Sequence, residues 1–406
     1  MVEQHEKTLV PQIRFAGFTD PWEQRKLGEF GSVAMCKRIY KEQTSEQGDV
    51  PFFKIGTFGA NPDAFISNEL FEDFKCIYPY PTPGTLLISA AGSIGRVVEY
   101  QGEKAYFQDS NIVWLEHDHR LNDAFLKPLY SRIEWGLEGS TIKRLYNKDL
   151  LSAEVTVPGG REQKEIGQFF AKLDNLITLH QRKYDKLCVL KKSMLDKMFP
   201  KGGSLYPEIR FSGFTDPWEQ RKLENYVVVS TTKNVDGKFG KEDVLSVSGE
   251  YGVVNQITFQ GRSFAGASVS NYGVVNTGDV VYTKSPLNSN PYGIIKVNKG
   301  IPGIVSTLYA IYHPRDNVYA NFIQVYFEQH KRMNNYMHPL VNKGAKNDMK
   351  VTAENALKGM VTFPSREEQS VISAFFSRLD SLITLHQRKL ELLRNIKKSM
   401  LDKMFV

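Results

Sequence analysis

Two carboxylates and a lysine in the first half of the chain have a spacing that could support metal-dependent cleavage of a phosphodiester. Pro62-Asp63 precedes Asp73-Phe74-Lys75, and in a nuclease such carboxylates bind Mg²⁺ while the lysine positions water. The pattern is loose and arises often by chance, and nothing nearby in the sequence supplies further ligands. We therefore expect solvated loop residues here rather than a catalytic centre.

Two further short patterns are weak for similar reasons. His117 and His119 could chelate a metal, yet no cysteine or acidic cluster near them completes a coordination sphere. Asn290-Pro291-Tyr292 is similar to the Asn/Asp-Pro-Pro-Tyr/Phe loop of amino-methyltransferases, but it lacks the second proline, and no glycine-rich cofactor loop precedes it. The sequence also lacks a Gly-x-x-x-x-Gly-Lys-Ser/Thr phosphate loop. We predict polar turns at these sites, no metal, and a chain that is not itself an enzyme.

Length and composition place the chain among multidomain soluble proteins. Its 406 residues exceed what one hydrophobic core usually supports, and 41% hydrophobic with 24% charged residues is typical of a folded protein. No apolar run approaches the roughly 18 residues of a membrane span, and the first residues lack the apolar core of a signal peptide. These features predict a cytoplasmic protein.

The charge is distributed unevenly along the chain. The net charge is +7, but the first 200 residues carry 26 basic and 27 acidic side chains, whereas the remaining 206 carry 26 and 18. A basic surface is a weak indication of a nucleic acid or another polyanion as partner. Such a surface must be a local patch.

Long internal repeats dominate the sequence. Residues 17–27 recur unchanged as residues 213–223, an offset of 196, and residues 191–199 recur unchanged as residues 397–405, an offset of 206. Between these blocks, residues 28–158 and 224–364 share almost no identity, only a common rhythm of strand, glycine turn and strand. Their content of β-branched, aromatic, glycine and proline residues predicts two mainly β or α+β globules of one fold.

The block that ends each half has the pattern of a long helix. Apolar residues recur in a four-three spacing after Pro158 and again, at the same phase, after Pro364. About 39 residues at 1.5 Å each give a helix of roughly 58 Å, which cannot bury its apolar stripe alone. We therefore expect the two helices to pack antiparallel, with Trp22 and Trp218 of the repeated lead-in packed against them rather than stacked on bases.

These motifs together resemble the DNA specificity (S) subunit of type I restriction-modification systems. The resemblance covers nearly the whole chain and rests on the helix openings, Pro158 with Glu162-Gln163 and Pro364 with Glu368-Gln369. It rests also on the repeated Phe-x-x-Phe-x-x-x-Trp-x-x-x-x-Leu lead-in and on a Gly-Asp-Ile-Leu-like strand before the glycine turn. In the first half that strand begins Gly84-Thr85, where the family usually has an acidic second residue.

The resemblance implies a fold and a division of the chain. The implied fold class is α+β, with two target-recognition globules joined by two long antiparallel coiled-coil helices in a pseudo-two-fold repeat. The expected domains are a first target-recognition domain with its lead-in (1–158), a central helix (159–200), a second target-recognition domain with its lead-in (201–364) and a C-terminal helix (365–406).

The resemblance also implies a function. Each globule would recognise one half of a bipartite, asymmetric double-stranded DNA target, and partner subunits would carry out adenine methylation and restriction. Two modification (methyltransferase) subunits would carry S-adenosylmethionine, and up to two restriction (motor-nuclease) subunits would use ATP and Mg²⁺, with none of these cofactors on this chain. The alternative is a non-DNA scaffold, whose two globules bind saccharide or protein and whose affinity should barely respond to salt.

Candidate DNA contacts lie on divergent loops, because phosphates are bound by Lys and Arg and base edges are read by Arg, Lys, Asn, Gln, Ser and Thr. Two loops in each globule carry such side chains: Ser93 and Arg96, then Ser140, Thr141, Lys143, Arg144, Tyr146 and Asn147, in the first; Lys284, Ser285, Asn288, Ser289, Asn290 and Tyr292, then Lys343, Lys346, Asn347 and Lys350, in the second. The candidate contacts to partner subunits are at the helix openings: Arg161, Glu162, Gln163, Arg366, Glu367, Glu368 and Gln369.

Overall fold

The chain divides into two units that do not follow chain order. A computed structural model describes residues 9–135, 144–284, 290–343 and 349–406. Its contacts form a first unit from Met1–Gln181 together with Arg388–Val406, and a second unit from Arg182–Gln387. Each long helix therefore begins in one unit and ends in the other.

Within its described residues, the first unit contains nine strands and three α-helices before the first long helix. In chain order the elements are β1 (Glu23–Lys26), β2 (Gly31–Ala34), β3 (Val50–Phe53), β4 (Phe65–Ile66), α1 (Asn68–Ile77), β5 (Leu86–Ser89), β6 (Val97–Glu99), β7 (Tyr106–Phe107), β8 (Ile112–His117), α2 (Asp123–Tyr130), α3 (Asn147–Ser152), β9 (Glu154–Val157) and α4 (Gly160–Lys197).

The second unit has a similar sequence of elements within its described residues. They are β10 (Glu219–Lys222), β11 (Val227–Val229), β12 (Leu245–Ser248), β13 (Gly252–Asn255), α5 (Gln256–Gln260), β14 (Gly273–Val275), β15 (Val280–Thr283), β16 (Ile295–Val297), β17 (Gly303–Val305), β18 (Tyr309–Pro314), α6 (Ala320–Glu328), α7 (His330–Met337), β19 (Asn342–Lys343), β20 (Met349–Lys350), β21 (Met360–Phe363) and α8 (Arg366–Met404).

The two units share one sheet topology. A four-stranded sheet has the order β2-β8-β5-β6 in the first unit and β11-β18-β15-β16 in the second. The repeated lead-in forms β1, which pairs antiparallel with β9, and β10, which pairs with β21 in the equivalent register. The predicted α+β fold, used twice, is therefore confirmed. The units differ around this frame: β3 pairs with both β4 and β7 in the first, whereas the second has the hairpin β12–β13 and the pair β14–β17.

The turn that precedes β5 explains why Thr85 can stand where an acidic residue is usual. Oγ1 of Thr85 accepts a hydrogen bond from the backbone N of Thr82 at 3.1 Å. In the second unit, Oδ2 of Asp279 accepts from the backbone N of Asn276 at 2.7 Å. The third residue of each turn is a glycine with positive φ, Gly84 at 98° and Gly278 at 92°. Glycine adopts this conformation without strain. Threonine therefore replaces aspartate as the side chain that closes the same turn.

The two long helices pack antiparallel within each unit, as predicted. In the first unit, Nζ of Lys397 on α8 lies 2.6 Å from Oδ1 of Asp174 on α4. In the second unit, Nζ of Lys191 on α4 lies 2.6 Å from Oδ1 of Asp380 on α8. The two ion pairs join equivalent residues of the repeat, so the helices meet in one register in both units.

The repeated tryptophans lie in the cores, which confirms their predicted packing role. Trp22 is 2% exposed and contacts the rings of Phe125 and Phe405 edge-on, at centroid distances of 6.1 and 6.0 Å. Trp218 is 1% exposed and contacts Phe199 at 5.8 Å in the same manner. Edge-to-face ring pairs of this kind contribute about 0.5–1.5 kcal/mol beyond the area they bury. Within the described ranges, no helix is both long and apolar enough to cross a membrane.

Candidate nucleic-acid interface

A hydroxyl group at the end of one central strand closes the glycine turn in each unit. Oγ of Ser89 accepts from the backbone N of Arg96 at 2.9 Å, and Oγ1 of Thr283 accepts from the backbone N of Ile294 at 2.9 Å. The base of the turn is therefore the same in both units, although the residues between differ completely. A fixed base with a variable tip is an arrangement suited to recognition loops.

Three further loops of the first unit converge on its glycine turn. The backbone N of Leu145 donates to the carbonyl of Ala90 at 2.9 Å, which joins the segment before α3 to the turn. Nη2 of Arg96 donates to the carbonyl of Gly59 at 3.1 Å, and Nη2 of Arg144 donates to that of Ser110 at 3.0 Å. Both loops predicted to carry DNA contacts thus meet, together with two loops near Gly59 and Ser110 that the sequence did not indicate.

The chemistry of this loop cluster suits an anionic, hydrogen-bonding ligand. The exposed Arg96 and the half-buried Arg144 use these bonds to fix their guanidinium groups against backbone carbonyls rather than carboxylates. Each guanidinium has several further N–H donors that are available for a phosphate or a guanine edge. Ser93, Tyr146 and Asn147 lie on the same loops and are exposed, Tyr146 by 49% of its surface.

At the equivalent end of the second unit, the charges of Lys233 and Glu354 act on Lys284 in opposite directions. Burial, together with the nearby charge of Lys233, lowers the pKa of Lys284 below its usual value. The backbone N of Lys284 donates to the carbonyl of Leu308 at 3.1 Å, which fixes the residue at the end of β15. An anion between the two ammonium groups would relieve their repulsion, so Lys233 joins Lys284 as a candidate phosphate contact.

The remaining candidates, from both units, fall into three groups. Asn290 and Tyr292 belong to a β-turn in which the backbone N of Gly293 donates to the carbonyl of Asn290 at 2.9 Å, and this confirms the predicted turn at Asn290-Pro291-Tyr292. For Lys343 and Lys350 the structure describes the backbone only, as the short pair β19–β20. Eight predicted positions lie outside the described residues: Ser140, Thr141, Lys143, Ser285, Asn288, Ser289, Lys346 and Asn347.

The helix openings, predicted as partner contacts, are partly internal. Arg14 of the lead-in donates from Nε to Oε1 of Glu162 at 2.6 Å and from Nη2 to Oε2 at 2.7 Å. Arg210 makes the same paired bonds to Glu368, at 2.8 and 2.7 Å. Each carboxylate is at most 2% exposed, because a salt bridge to the lead-in occupies it.

The adjacent glutamines are internal as well. Gln163 accepts at Oε1 from the backbone N of Asn122 and donates from Nε2 to the carbonyl of Pro158. Gln369 accepts from the backbone N of Tyr319 and donates to Pro364. The structure therefore corrects the expected surface role of Glu162, Gln163, Glu368 and Gln369, since each holds its helix to the globule. Arg161, Arg366 and Glu367 are exposed and stay predicted partner contacts.

The residues considered for catalysis make ordinary structural contacts, but not in the predicted loops and turns: Asp73 and Lys75 lie in α1, and the largely buried His117 ends β8. Asp63 forms an ion pair with Lys54 at 2.9 Å, and the ammonium of Lys75 lies over the Phe71 and Tyr80 rings, 5.4 Å from each centroid. Nε2 of His117 lies 2.9 Å from Oδ1 of Asp123. Across the part of the chain that the structure describes, no group of three or more His, Cys, Asp or Glu side chains could hold a metal ion.

Comparisons with known proteins agree with the geometry. Residues 19–188 match the family described as the type I restriction modification DNA specificity domain. A putative type I restriction enzyme specificity subunit of Haemophilus influenzae is 50% identical over 153 residues, which is 37% of this chain and 40% of that protein. The match thus spans less than half the length of this relative.

Two relatives match over their full lengths. The putative type I restriction enzyme MjaX specificity subunit of Methanocaldococcus jannaschii is 21% identical over 98% of this chain and 95% of its own. A crystal structure of the type I restriction-modification S subunit from M. genitalium superimposes with a TM-score of 0.63 at 15% identity, over 98% of this chain and 99% of that one. At this identity the structural likeness shows the fold. Residues 19–188 are thus similar to the type I restriction modification DNA specificity domain, and the fold of the chain is similar to that of the S subunit from M. genitalium.

Proposed function

We propose that this chain is the DNA specificity subunit of a type I restriction-modification complex. Each unit recognises one half of a bipartite, asymmetric double-stranded target through its loop cluster. The chain is not itself a catalyst, and it directs adenine methylation and restriction that partner subunits carry out in the cytoplasm. The match of residues 19–188 to the specificity domain, and the similarity to a specificity subunit over 153 residues, support this role.

One observation carries the asymmetry of the target. The hydroxyl-closed turn, the lead-in strand and the helix openings are built alike in both units, whereas the side chains presented on that frame differ. The first unit offers Arg96 and Arg144, and the second offers Lys284 beside Lys233. Arginine forms paired hydrogen bonds to guanine, whereas lysine acts as a point charge, so the two units are suited to different base sequences.

The partners follow from the repeat. Because the helices repeat long stretches of sequence, each presents many of the same exposed residues, among them Arg182 in α4 and its equivalent Arg388 in α8. Two copies of one modification subunit would therefore bind, one to each long helix. These subunits supply S-adenosylmethionine, and up to two restriction subunits supply the ATP- and Mg²⁺-dependent steps.

Mapping of methylated adenines in a host with and without this gene tests the proposal. We expect the gene to add one motif that consists of two different short half-sites separated by unread bases. A palindromic motif, or an uninterrupted one, would contradict recognition by two unlike units.

Salt dependence separates DNA recognition from the alternative of a non-DNA scaffold. The complex with modification subunits should bind a duplex that carries the mapped motif. The logarithm of its affinity should fall steeply and linearly with the logarithm of the salt concentration, because phosphate contacts release counterions. A scrambled duplex of equal length is the control for specificity. Equal affinity for both duplexes, or an affinity that salt does not change, would count against the proposal.

A further inference from the structure

A cavity of about 790 Å³ lies within the second unit, inside the range of about 300–1,000 Å³ that is usual for small-molecule sites. Helices α4 and α8 form one wall, the ends of α6 and β16 form the floor, and the turn between β12 and β13 covers one side. Nε2 of Gln387 donates to Oε1 of Glu250 at 2.9 Å, which fastens this turn to α8. The cavity lies apart from the loop cluster at Lys284, which does not line it.

The floor of the cavity is a cluster of four charged side chains. Lys191 lies 2.6 Å from both Asp380 and Glu328, and Nζ of Lys296 lies 4.0 Å from Oε1 of Glu328. In the first unit, among the residues that the structure describes, the equivalent helix pair is joined by the Lys397–Asp174 ion pair of the repeat. The Lys191–Asp380 ion pair of the repeated helices is therefore extended by two residues of the divergent globule, the acidic Glu328 and the basic Lys296.

Two polar groups of this cluster are buried without a hydrogen bond among the described residues. The side chain of Lys296 is 9% exposed, and its nearest carboxylate oxygen is at 4.0 Å, beyond hydrogen-bond distance. Oε2 of Glu328 is buried and has no partner. Burial lowers the pKa of Lys296, and the charge of Lys191 adds to that effect. Such groups are costly to leave unsatisfied, and both residues line the cavity.

The walls and the mouth narrow the choice of ligand. Tyr184 and Tyr251 line the cavity and offer ring surfaces. Three exposed lysines line it as well, Lys192, Lys299 and Lys331, and none of them forms an ion pair with a described residue. The four floor charges balance one another, so the floor favours a neutral group with adjacent donor and acceptor, and the mouth favours an anion.

We propose that this cavity binds a nucleotide, with the base edge between Lys296 and Glu328 and the phosphates at the lysines of the mouth. A ring nitrogen or exocyclic oxygen of the base accepts from Nζ of Lys296, and an adjacent N–H donates to Oε2 of Glu328. A tyrosine ring stacks on the base, as aromatic side chains do in single-strand sites. This site is independent of duplex recognition and would make the specificity subunit responsive to a free nucleotide.

Calorimetric titration of the purified full chain with ATP, without DNA, tests the site. We expect saturable binding to one site with a dissociation constant below about 1 mM. Lys296→Met should weaken that binding at least tenfold. Lys397→Met, which removes the equivalent helix ion pair of the first unit, should leave the affinity for ATP unchanged.

Adenosine and tripolyphosphate separate the two halves of the site. Adenosine should bind more weakly than ATP, and it should not bind to Lys296→Met. The affinity for tripolyphosphate should be the same in that variant as in the unchanged protein. If Lys296→Met does not fold, Lys299→Gln at the exposed mouth should weaken ATP and leave adenosine unchanged. The absence of ATP binding, tripolyphosphate binding as tight as that of ATP, or full affinity in a folded Lys296→Met variant would overturn the proposal.

Discussion

The paired bonds between Arg14 and Glu162 attach the lead-in to the first long helix at a buried position. We expect Glu162→Gln to lower the free energy of unfolding of the first unit by about 1.5–3 kcal/mol, the usual contribution of hydrogen bonds to a charged group. Denaturation followed by tryptophan fluorescence measures this, because three of the four tryptophans, Trp22, Trp114 and Trp135, lie in the first unit.

Two matched variants complete that experiment. Glu368→Gln should shift the transition reported by Trp218 of the second unit, because Arg210 then loses the same pair of bonds. Glu29→Gln, at an exposed ion pair with Arg25, should change stability little. Equal effects of Glu29→Gln and Glu162→Gln would show that the buried pair has no special role.

His117 makes the stability of the first unit depend on pH. Its hydrogen bond to Asp123 raises the pKa of the imidazole above the ordinary value. A raised folded-state pKa stabilises the fold fully below the unfolded-state pKa of about 6.5, and the contribution is lost as pH rises through the higher folded value. Asp123→Asn should therefore lower the pKa of His117 in an NMR titration and flatten the loss of stability over that window. An unchanged imidazole titration would contradict this account.

The convergent loops predict that substitutions act on one half-site at a time. Arg96→Gln should relax or alter the bases read in one half of the methylated motif and leave the other half unchanged, because Arg96 belongs to the loop cluster of the first unit alone. Methylome sequencing of cells that carry the variant measures this. Changes in both halves at once would contradict the assignment of one half-site to each unit.

A lysine that contacts phosphate should instead affect all sequences alike. We expect Lys284→Gln to weaken duplex binding and to reduce the slope of log affinity against log salt by about one. Titrations of the assembled complex at several salt concentrations, with Lys358→Gln in the last turn before β21 as an exposed control, measure the slope. A slope that is unchanged in Lys284→Gln would remove this residue from the interface.

The long helices allow a prediction about the unread bases. Seven residues inserted after Lys183 and again after Lys389 preserve the heptad phase and lengthen each helix by about 10.5 Å. We expect the spacer to grow by about one to three base pairs, the smaller values reflecting rotation around the duplex, while both half-sites stay the same. The methylated motif of the lengthened variant measures this. An active variant with the original spacer would show that helix length does not set it.

The two long helices and the strands beside each glycine turn were predictable from the sequence, whereas the other strands and the short helices were not, for a physical reason. The helices follow a local period that the apolar residues show directly, and α4 and α8 begin within two residues of Pro158 and Pro364. Most strands are two to four residues long and pair with distant segments, such as Glu23 with Val157 in the β1–β9 pair. Such pairs are decided by tertiary packing rather than by local pattern.

The candidate interface was predictable only in part for the same reason. The two loops near Arg96 and Arg144 carry suitable side chains in a divergent block, so their composition indicated them. The loops near Gly59 and Ser110 contribute backbone carbonyls, which no side-chain pattern reveals. The Glu-Gln pair after Pro158 was found as a motif, but its buried role depends on Arg14, which is 148 positions away from Glu162.

At the scale of the whole molecule, the two halves make equivalent contacts although the lead-ins repeat at an offset of 196 and the helices at an offset of 206. The lead-in of the second half caps the preceding helix, since the backbone N of Ile209 donates to the carbonyl of Lys197 at 3.0 Å. The lead-in of the first half makes the same bond, from Ile13 to Lys403 at 2.9 Å. The same clasp is thus local in one unit and joins residues almost 400 positions apart in the other.

That clasp has a consequence for biosynthesis. A ribosome synthesises the whole second unit before it adds Phe405, whose ring packs against Trp22 and Phe125 in the first unit. The aromatic core of the first unit is therefore completed only by residues that are translated after the whole second unit. A chain cut short after Gln387 would expose that core to chaperones and proteases, so only chains translated to their final turn of helix would escape degradation and assemble.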